Sequence, residues 1–367
     1  MTGHVYRSVA GRLIWGSLIL NVLMSAVAAS AQGPTPLYLP WVSRHAGPSG
    51  DDTALAVAAR SLAPGAWAQI DATGVTATFA GAHGASGNVI PYSEDMIWDS
   101  TARLAYFLGG DHVYAAGDDF PRFVRYTDDT NTWEILPAPD WLPSSTSHGY
   151  DHSALDPETG VFYHRAFNSN LLRRYDPTTG EWSTVTAPFV NDYGPCCDAL
   201  EYFPALGGVI WVRGWGEIWR YSEASREWDR LAESLDIGGT WLFAAFNPIR
   251  NEMVIGSAAH KKLYRLSATG IVTPLKDLPI QIYDGSGYNG DFTVDPVSGE
   301  YIALTSPEHD VYSYDSTTDA WAAHPAAANP VLNGKSVIAA PLDTYGVIGA
   351  VACRSQDCSM WIYKHAP

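Results

Sequence analysis

Short apolar stretches alternate with polar turn clusters along most of the chain, and the alternation is periodic. Between Tyr126 and Tyr175 the order is His152-Ser153-Ala154-Leu155, the turn Asp156-Pro157-Glu158-Thr159-Gly160, and Val161-Phe162-Tyr163-His164. A short loop at Asn168-Ser169-Asn170 follows, then Leu171-Leu172-Arg173-Arg174-Tyr175. These runs are rich in β-branched and aromatic residues and bounded by Asp-Pro or Gly, which is a hairpin pattern. Asp supplies a side-chain bond to the turn, Pro presets φ, and Gly takes the left-handed position. The same inner hairpin recurs at Phe292-Thr293-Val294, Asp295-Pro296-Val297-Ser298-Gly299 and Tyr301-Ile302-Ala303-Leu304.

An outer hairpin recurs with it. Tyr126 is followed by Trp133, Tyr175 by Trp182, Tyr221 by Trp228 and Tyr314 by Trp321, seven residues on in each case. Taking Tyr126, Tyr175, Tyr221, Leu266, Tyr314 and Tyr363 as equivalent gives steps of 49, 46, 45, 48 and 49 residues. Four short strands in about 47 residues is the spacing of a propeller blade. The expected fold is therefore all-β, a six-bladed β-propeller of four-stranded blades whose repeated Tyr and Trp fill the wedges between sheets. The last copy ends after its third strand, Met360-Trp361-Ile362-Tyr363, while an isolated strand-like Gly65-Ala66-Trp67-Ala68-Gln69-Ile70 precedes the first copy. That N-terminal strand is expected to complete the last blade, with Trp67 in the place of Trp133, so that no edge stays open.

The Tyr–turn–Trp copies resemble the outer strands of the kelch family of propellers, including the propeller domain of galactose oxidase, over residues 65–367. Kelch repeats place a Gly pair at the end of the second strand; Gly109-Gly110 matches that, whereas Gly207-Gly208 sits in a turn. Resemblance to galactose oxidase would imply copper, tyrosine ligands and a Cys–Tyr crosslink. No residues here match that constellation one by one, so the activity is not carried over.

Residues 1–31 read as a secretory signal peptide: Arg7 and Arg12 without an acid, the apolar run Leu13 to Ala28, and Ala29-Ser30-Ala31 before Gln32. Residues 32–64 are rich in Pro, Gly, Ser and Ala and read as a lead-in, within which Thr53 to Leu62 is compatible with a short helix. The propeller is assigned to 65–367. Export implies an extracellular or periplasmic, soluble protein, and a monomer is expected. The chain carries 22 basic and 39 acidic residues among 367, a net charge of −17. Such a balance repels nucleic-acid phosphate and anionic lipid at long range, which argues against both as partners, and no other stretch is apolar enough to span a bilayer. With 46% hydrophobic residues the chain is too apolar to be disordered.

In a propeller the loops between blades and those joining the second and third strands share one face around the channel, where ligands bind. The lead-ins placed there are Tyr92-Ser93-Glu94-Asp95, His148-Gly149-Tyr150-Asp151-His152, Tyr193-Gly194-Pro195-Cys196-Cys197-Asp198, Gly239-Thr240-Trp241, Gly287-Tyr288-Asn289-Gly290-Asp291 and Asn333-Gly334-Lys335. Asp95, His152 and Asp291 occupy equivalent positions, and a period of two puts His148, Tyr150 and His152 on one side with Asp151 on the other. The polar groups of these segments either tie neighbouring blades together or bind a ligand. A carbohydrate fits best: Trp241, Tyr193, Tyr288 and Tyr150 to stack on sugar rings, Asp95, Asp151, Asp198, Asn289, Asp291 and Lys335 to bond hydroxyls or charge. In a catalytic version, similar to propeller polysaccharide lyases at the level of fold, His148 or His152 is the base and Tyr150 the acid. Lys335, Arg213 or Arg165 would then neutralise a uronate. A protein-interaction platform is the remaining alternative. No motif calls for a cofactor; converging carboxylates (Asp95, Asp291, Asp198) with His152 would suit Ca²⁺, and His148 with His152 a transition ion.

Cys353 and Cys358 flank a four-residue turn between strands of the last blade, where a disulfide fits across the hairpin. Cys196 and Cys197 are adjacent and form either a vicinal disulfide, a flat apolar plate at the mouth, or two buried thiols.

Overall fold

The structure is a computed structural model, and it describes residues 52–81, 87–111, 121–142, 148–167, 169–189, 197–282, 290–305, 310–324, 331 and 336–365. These form six four-stranded antiparallel sheets. Blade 1 runs Ile97–Asp99, Leu104–Gly109, Arg122–Thr127 and Thr132–Ile135 from the centre outward. Blade 2 starts at Ser153–Leu155, blade 3 at Ala199–Phe203, blade 4 at Leu242–Asn247 and blade 5 at Asp291–Val294. Blade 6 takes Ser336–Leu342, Val347–Arg354 and Asp357–Tyr363 from the C-terminal end and Trp67–Ile70 as its outermost strand. The ring is thus closed by the N-terminal strand, in the register expected: Trp67 pairs with Tyr363 as Trp133 pairs with Tyr126.

The repeated Tyr and Trp are cross-strand partners, which explains their spacing. Tyr126–Trp133, Tyr175–Trp182, Tyr221–Trp228, Tyr314–Trp321 and Tyr363–Trp67 all lie with ring centroids 4.7–5.3 Å apart. The Tyr hydroxyl has a second task in two copies. Tyr126 donates to Asn131 Oδ1 at 2.9 Å and Tyr314 to Asp319 Oδ1 at 2.5 Å, and each acceptor holds the left-handed conformation that ends the turn. Asn and Asp tolerate that conformation better than other non-glycine residues because their short polar side chains bond locally. Inner turns use the Asx device: Asp156 accepts from Glu158 N at 3.0 Å and Asp295 from Ser298 N at 2.7 Å, followed by Gly160 at φ +72° and Gly299 at φ +70°.

The core is divided among wedges between adjacent blades. Tyr106, Leu108, Phe123, Leu155 and Phe162 fill the wedge between blades 1 and 2, and Ala154, Tyr163, Leu200, Val209 and Trp211 the next. The seam between blades 6 and 1 is filled partly by helices. One, Ala54–Ser61, falls in the lead-in, is capped by Thr53 and buries Leu55 and Ala59. Another, Val75–Phe79, has no signature in the sequence; Phe79 packs against Phe107 and Trp133 at 5.6 and 4.8 Å. Cys353 and Cys358 are disulfide-bonded across the hairpin. Among the described residues, no helix is long and apolar enough to cross a membrane.

First strands of neighbouring blades touch one another in order around the ring. Lead-in segments are stitched together as well: Tyr150 N donates to Tyr92 O at 2.6 Å, Glu94 N to Tyr150 O at 3.1 Å, and Leu242 N to Cys197 O at 3.0 Å. The ends of six blades therefore converge on one channel mouth.

Candidate functional site

Three aromatic residues from three blades meet at the mouth. Tyr92 and Trp241 are stacked at 5.9 Å and 23°, and Tyr150 meets Trp241 edge-on at 5.3 Å. His148 lies against both Tyr92 and Tyr150, and Phe167, from the loop between the second and third strands of blade 2, lies against His148 and Tyr150. All three leading aromatics adopt positive φ: 62° at Tyr92, 40° at Tyr150 and 54° at Trp241. A left-handed backbone at a bulky residue costs about 1–3 kcal/mol and persists only where surroundings impose it. Tyr92 and Trp241 keep part of their surface exposed, while His148 and Tyr150 are buried.

Below this ring lie carboxyls from four blades. Asp95 and Asp151 are within hydrogen-bonding reach of each other. Burial raises the Asp95 carboxyl well above its ordinary value, and the charges of Glu201 and Asp291 raise it further. Asp151 is raised for the same reasons, burial first and Asp95 next, although its Oδ2 accepts from Ala244 N at 2.5 Å. Asp291 is raised by burial, against the bond its Oδ2 accepts from Ala339 N. Two further members, Glu94 and Glu201, were not singled out by the sequence reading. Burial pushes Glu94 up to about 8 and Glu201 up to about 7. Glu201 sits in a first strand between Leu200 and Tyr202, and an acid in such an apolar strand was the available signal.

His152 lies deeper and has a different setting. Its Nε2 is 2.9 Å from Arg165 Nη1. Arginine only donates, so Nε2 is the acceptor and the ring proton is on Nδ1. Arg165, buried itself, also faces Asp198 at 3.5 Å. Asp198 accepts from Trp211 Nε1 at 2.8 Å and from Gly214 N at 2.9 Å. Asp198 and Arg165 are therefore placed as a buried tie between blades 2 and 3 and not at the open mouth. Arg213 pairs with Glu217 and lies over Phe189 at 4.1 Å. Trp215, in the adjoining turn, is 70% exposed at φ 69° and donates its N–H to Gly238 O at 2.8 Å, three residues before Trp241. No expectation from sequence included it.

Of the remaining expected site residues, Cys197 is buried and disulfide-bonded. Tyr193, Cys196, Tyr288, Asn289 and Lys335 lie outside the described residues. Among the described residues, no three His, Cys, Asp or Glu side chains are grouped so as to hold a metal ion. The Ca²⁺ and transition-ion readings thus have no ligand set there.

Fold and mouth together define a six-bladed β-propeller with an aromatic rim and an acidic throat. No family model matches the chain, and no curated protein matches it. Among solved structures, it is similar to a structural genomics protein of unknown function from Bacteroides thetaiotaomicron, with TM-score 0.55 and 11% identity over 81% of this chain and 75% of that one. Virginiamycin B lyase from Staphylococcus aureus gives TM-score 0.47 and 11% identity over 73% of this chain and 83% of that one. A nidogen/laminin complex gives 0.46 and 12% over 62% and 77%. At these identities the first likeness speaks to fold alone.

Proposed function

We propose that the chain is a secreted, kelch-type propeller that binds carbohydrate at its channel mouth. The observation that carries this is the convergence of Tyr92, Tyr150 and Trp241 from three blades, each on a left-handed backbone, into one aromatic cluster of which Tyr92 and Trp241 stay partly open. A costly backbone imposed at three bulky residues holds their rings in fixed orientations, from which a ligand platform gains. Aromatic faces stack on the apolar faces of sugar rings, and the carboxyls beneath accept from hydroxyls. The signal-like residues 1–31 would bring the domain to extracellular glycans.

A glycan array probed with the purified chain, followed by titration calorimetry on a hit and an assay for product, tests the reading. Trp241→Ala is expected to lower affinity about tenfold or more while the melting curve stays cooperative. Absence of any glycan hit, or wild-type affinity in Trp241→Ala, would sink it.

A further inference from the structure

The throat under the aromatic rim contains Glu94 and Asp95 from the lead-in of blade 1, Asp151 from that of blade 2, Glu201 of blade 3 and Asp291 of blade 5. Three of these have donors. Asp151 takes Ala244 N, Asp291 takes Ala339 N, and Glu201 takes Tyr202 N at 2.7 Å and Phe246 N at 3.3 Å. Glu94 differs: it is 93% buried, and its Oε1 has no hydrogen-bond partner. Its charge acts on Asp95, Asp151 and Asp291, so it lies within electrostatic reach of the cluster. Even with the proton that burial leaves on Glu94, a buried carboxyl oxygen without a partner is costly, and such groups are normally paired. The neighbours acting most strongly on Asp95 are again carboxyls, Glu201 and Asp291. Among the described residues, no cation is among the groups acting on Asp95, Asp151 or Asp291.

We infer that the throat is a subsite for a protonated amine, carried on a ligand whose body rests against the open parts of Tyr92 and Trp241. The inference rests on the carbohydrate reading of the mouth and names its class: a glycan with free amino groups, of the glucosamine type. An ammonium has three N–H donors and no acceptor, and its charge favours the ionised carboxyl, so as it enters it displaces protons the empty throat holds and bonds to the oxygens they leave, the unserved Glu94 Oε1 among them. Charge-assisted bonds are shorter and about twice as strong as neutral ones. The rings above add cation–π attraction when the charge passes within about 6 Å of their centroids. A neutral or N-acetylated sugar would offer the throat no charge, and a metal ion would need a coordinating group of ligands that the described residues do not form.

The test is titration calorimetry of the full chain at neutral pH with three tetrasaccharides, of glucosamine, of N-acetylglucosamine and of glucose, and with tetralysine. The glucosamine tetramer is expected to bind about tenfold to a hundredfold more tightly than the other two sugars. Glu94→Gln should remove most of that preference and leave the neutral sugars' affinities unchanged. Equal affinity for all three sugars overturns the amine subsite and leaves the carbohydrate reading standing. Binding of tetralysine alone, lost in Glu94→Gln, supports the amine subsite and refutes the carbohydrate reading. Binding of nothing overturns both. Wild-type selectivity among the sugars decides the matter even if Glu94→Gln does not fold.

Discussion

Raising the pH from about 5 to 8 should loosen the propeller, because throat carboxyls hold protons in the folded ring that they give up on unfolding. Glu201 moves from its ordinary 4.5 to about 7 in the fold, and Glu94 from 4.5 to about 8. Between those limits the folded state binds more protons, so their contribution is fully present below 4.5 and is lost as pH rises through 7 and 8. His164 opposes them. Burial, with Arg165 and Arg173 nearby, pushes it from 6.5 down to about 3, so below 6.5 the unfolded chain binds the extra proton. Two carboxyls against one imidazole leave about one net proton between pH 4.5 and 6.5 and one to two above it, each worth about 1.4 kcal/mol per pH unit. The loss from pH 5 to 8 is then on the order of 4 kcal/mol, and Asp95, Asp151 and Asp291 act in the same direction. At roughly 2 °C per kcal/mol for a chain of this size, Tm should fall by about 8 °C. Scanning calorimetry across that range at fixed ionic strength measures it, and Glu94→Gln should flatten the slope by about one proton. A Tm that is flat or rises toward pH 8, or an unchanged slope in Glu94→Gln, refutes the reasoning.

The seam of the ring gives a second prediction. Trp67 stacks on Tyr363 at 4.7 Å, and because Trp67 is only half-buried, Trp67→Ala should cost about 2 kcal/mol in urea unfolding, below the range for fully buried aromatics. A loss under about 0.5 kcal/mol would mean that this stack does not hold the closing strand. Arg165→Met should cost about 3 kcal/mol or more, since it leaves Asp198 buried without its cation, and it should shift the ¹⁵N resonance of His152 Nε2. Unchanged stability, or an unmoved Nε2 signal, counts against the buried tie.

Architecture was legible because its determinants are local and repeated. A Tyr and a Trp seven residues apart across a tight turn become cross-strand partners, and an Asp-Pro-x-x-Gly turn fixes the hairpin inside them. The copy with Leu266 in place of Tyr still fitted, because Leu266 pairs with Val272 across the same hairpin. Helix Val75–Phe79 was not legible: it has no side-chain cap, and its reason to exist is a gap between blades 6 and 1 that no local pattern encodes. Site residues divide in the same way. Register aligned Asp95 and Asp291 with His152, but in the ring it is Asp151 that joins the two carboxyls while His152 turns to Arg165, and Glu94 acquires its place only when blades 1, 2 and 5 converge. The left-handed backbones of Tyr92, Tyr150 and Trp241 leave no trace in residue type, since nothing about Tyr or Trp favours positive φ.

The same geometry redistributes the acid–base chemistry that the His148/Tyr150/His152 pattern suggested. A general base needs a lone pair aimed at substrate. In His152 the Nε2 lone pair is taken by Arg165, a group that cannot give up its proton, and the remaining ring nitrogen carries the hydrogen. His148 is arranged the other way: Nδ1 lies 3.3 Å from the carbonyl of Gly110, which only accepts, so the lone pair falls on Nε2. Its ring contacts Tyr92 and Tyr150 at the rim. Of the two histidines, His148 is therefore the one whose accepting nitrogen is not the one bonded to Arg165, while His152, Arg165 and Asp198 tie blades 2 and 3 together beside Tyr150. One cluster that reads as a single catalytic row in the sequence is, in the ring, a rim residue and a buried tie.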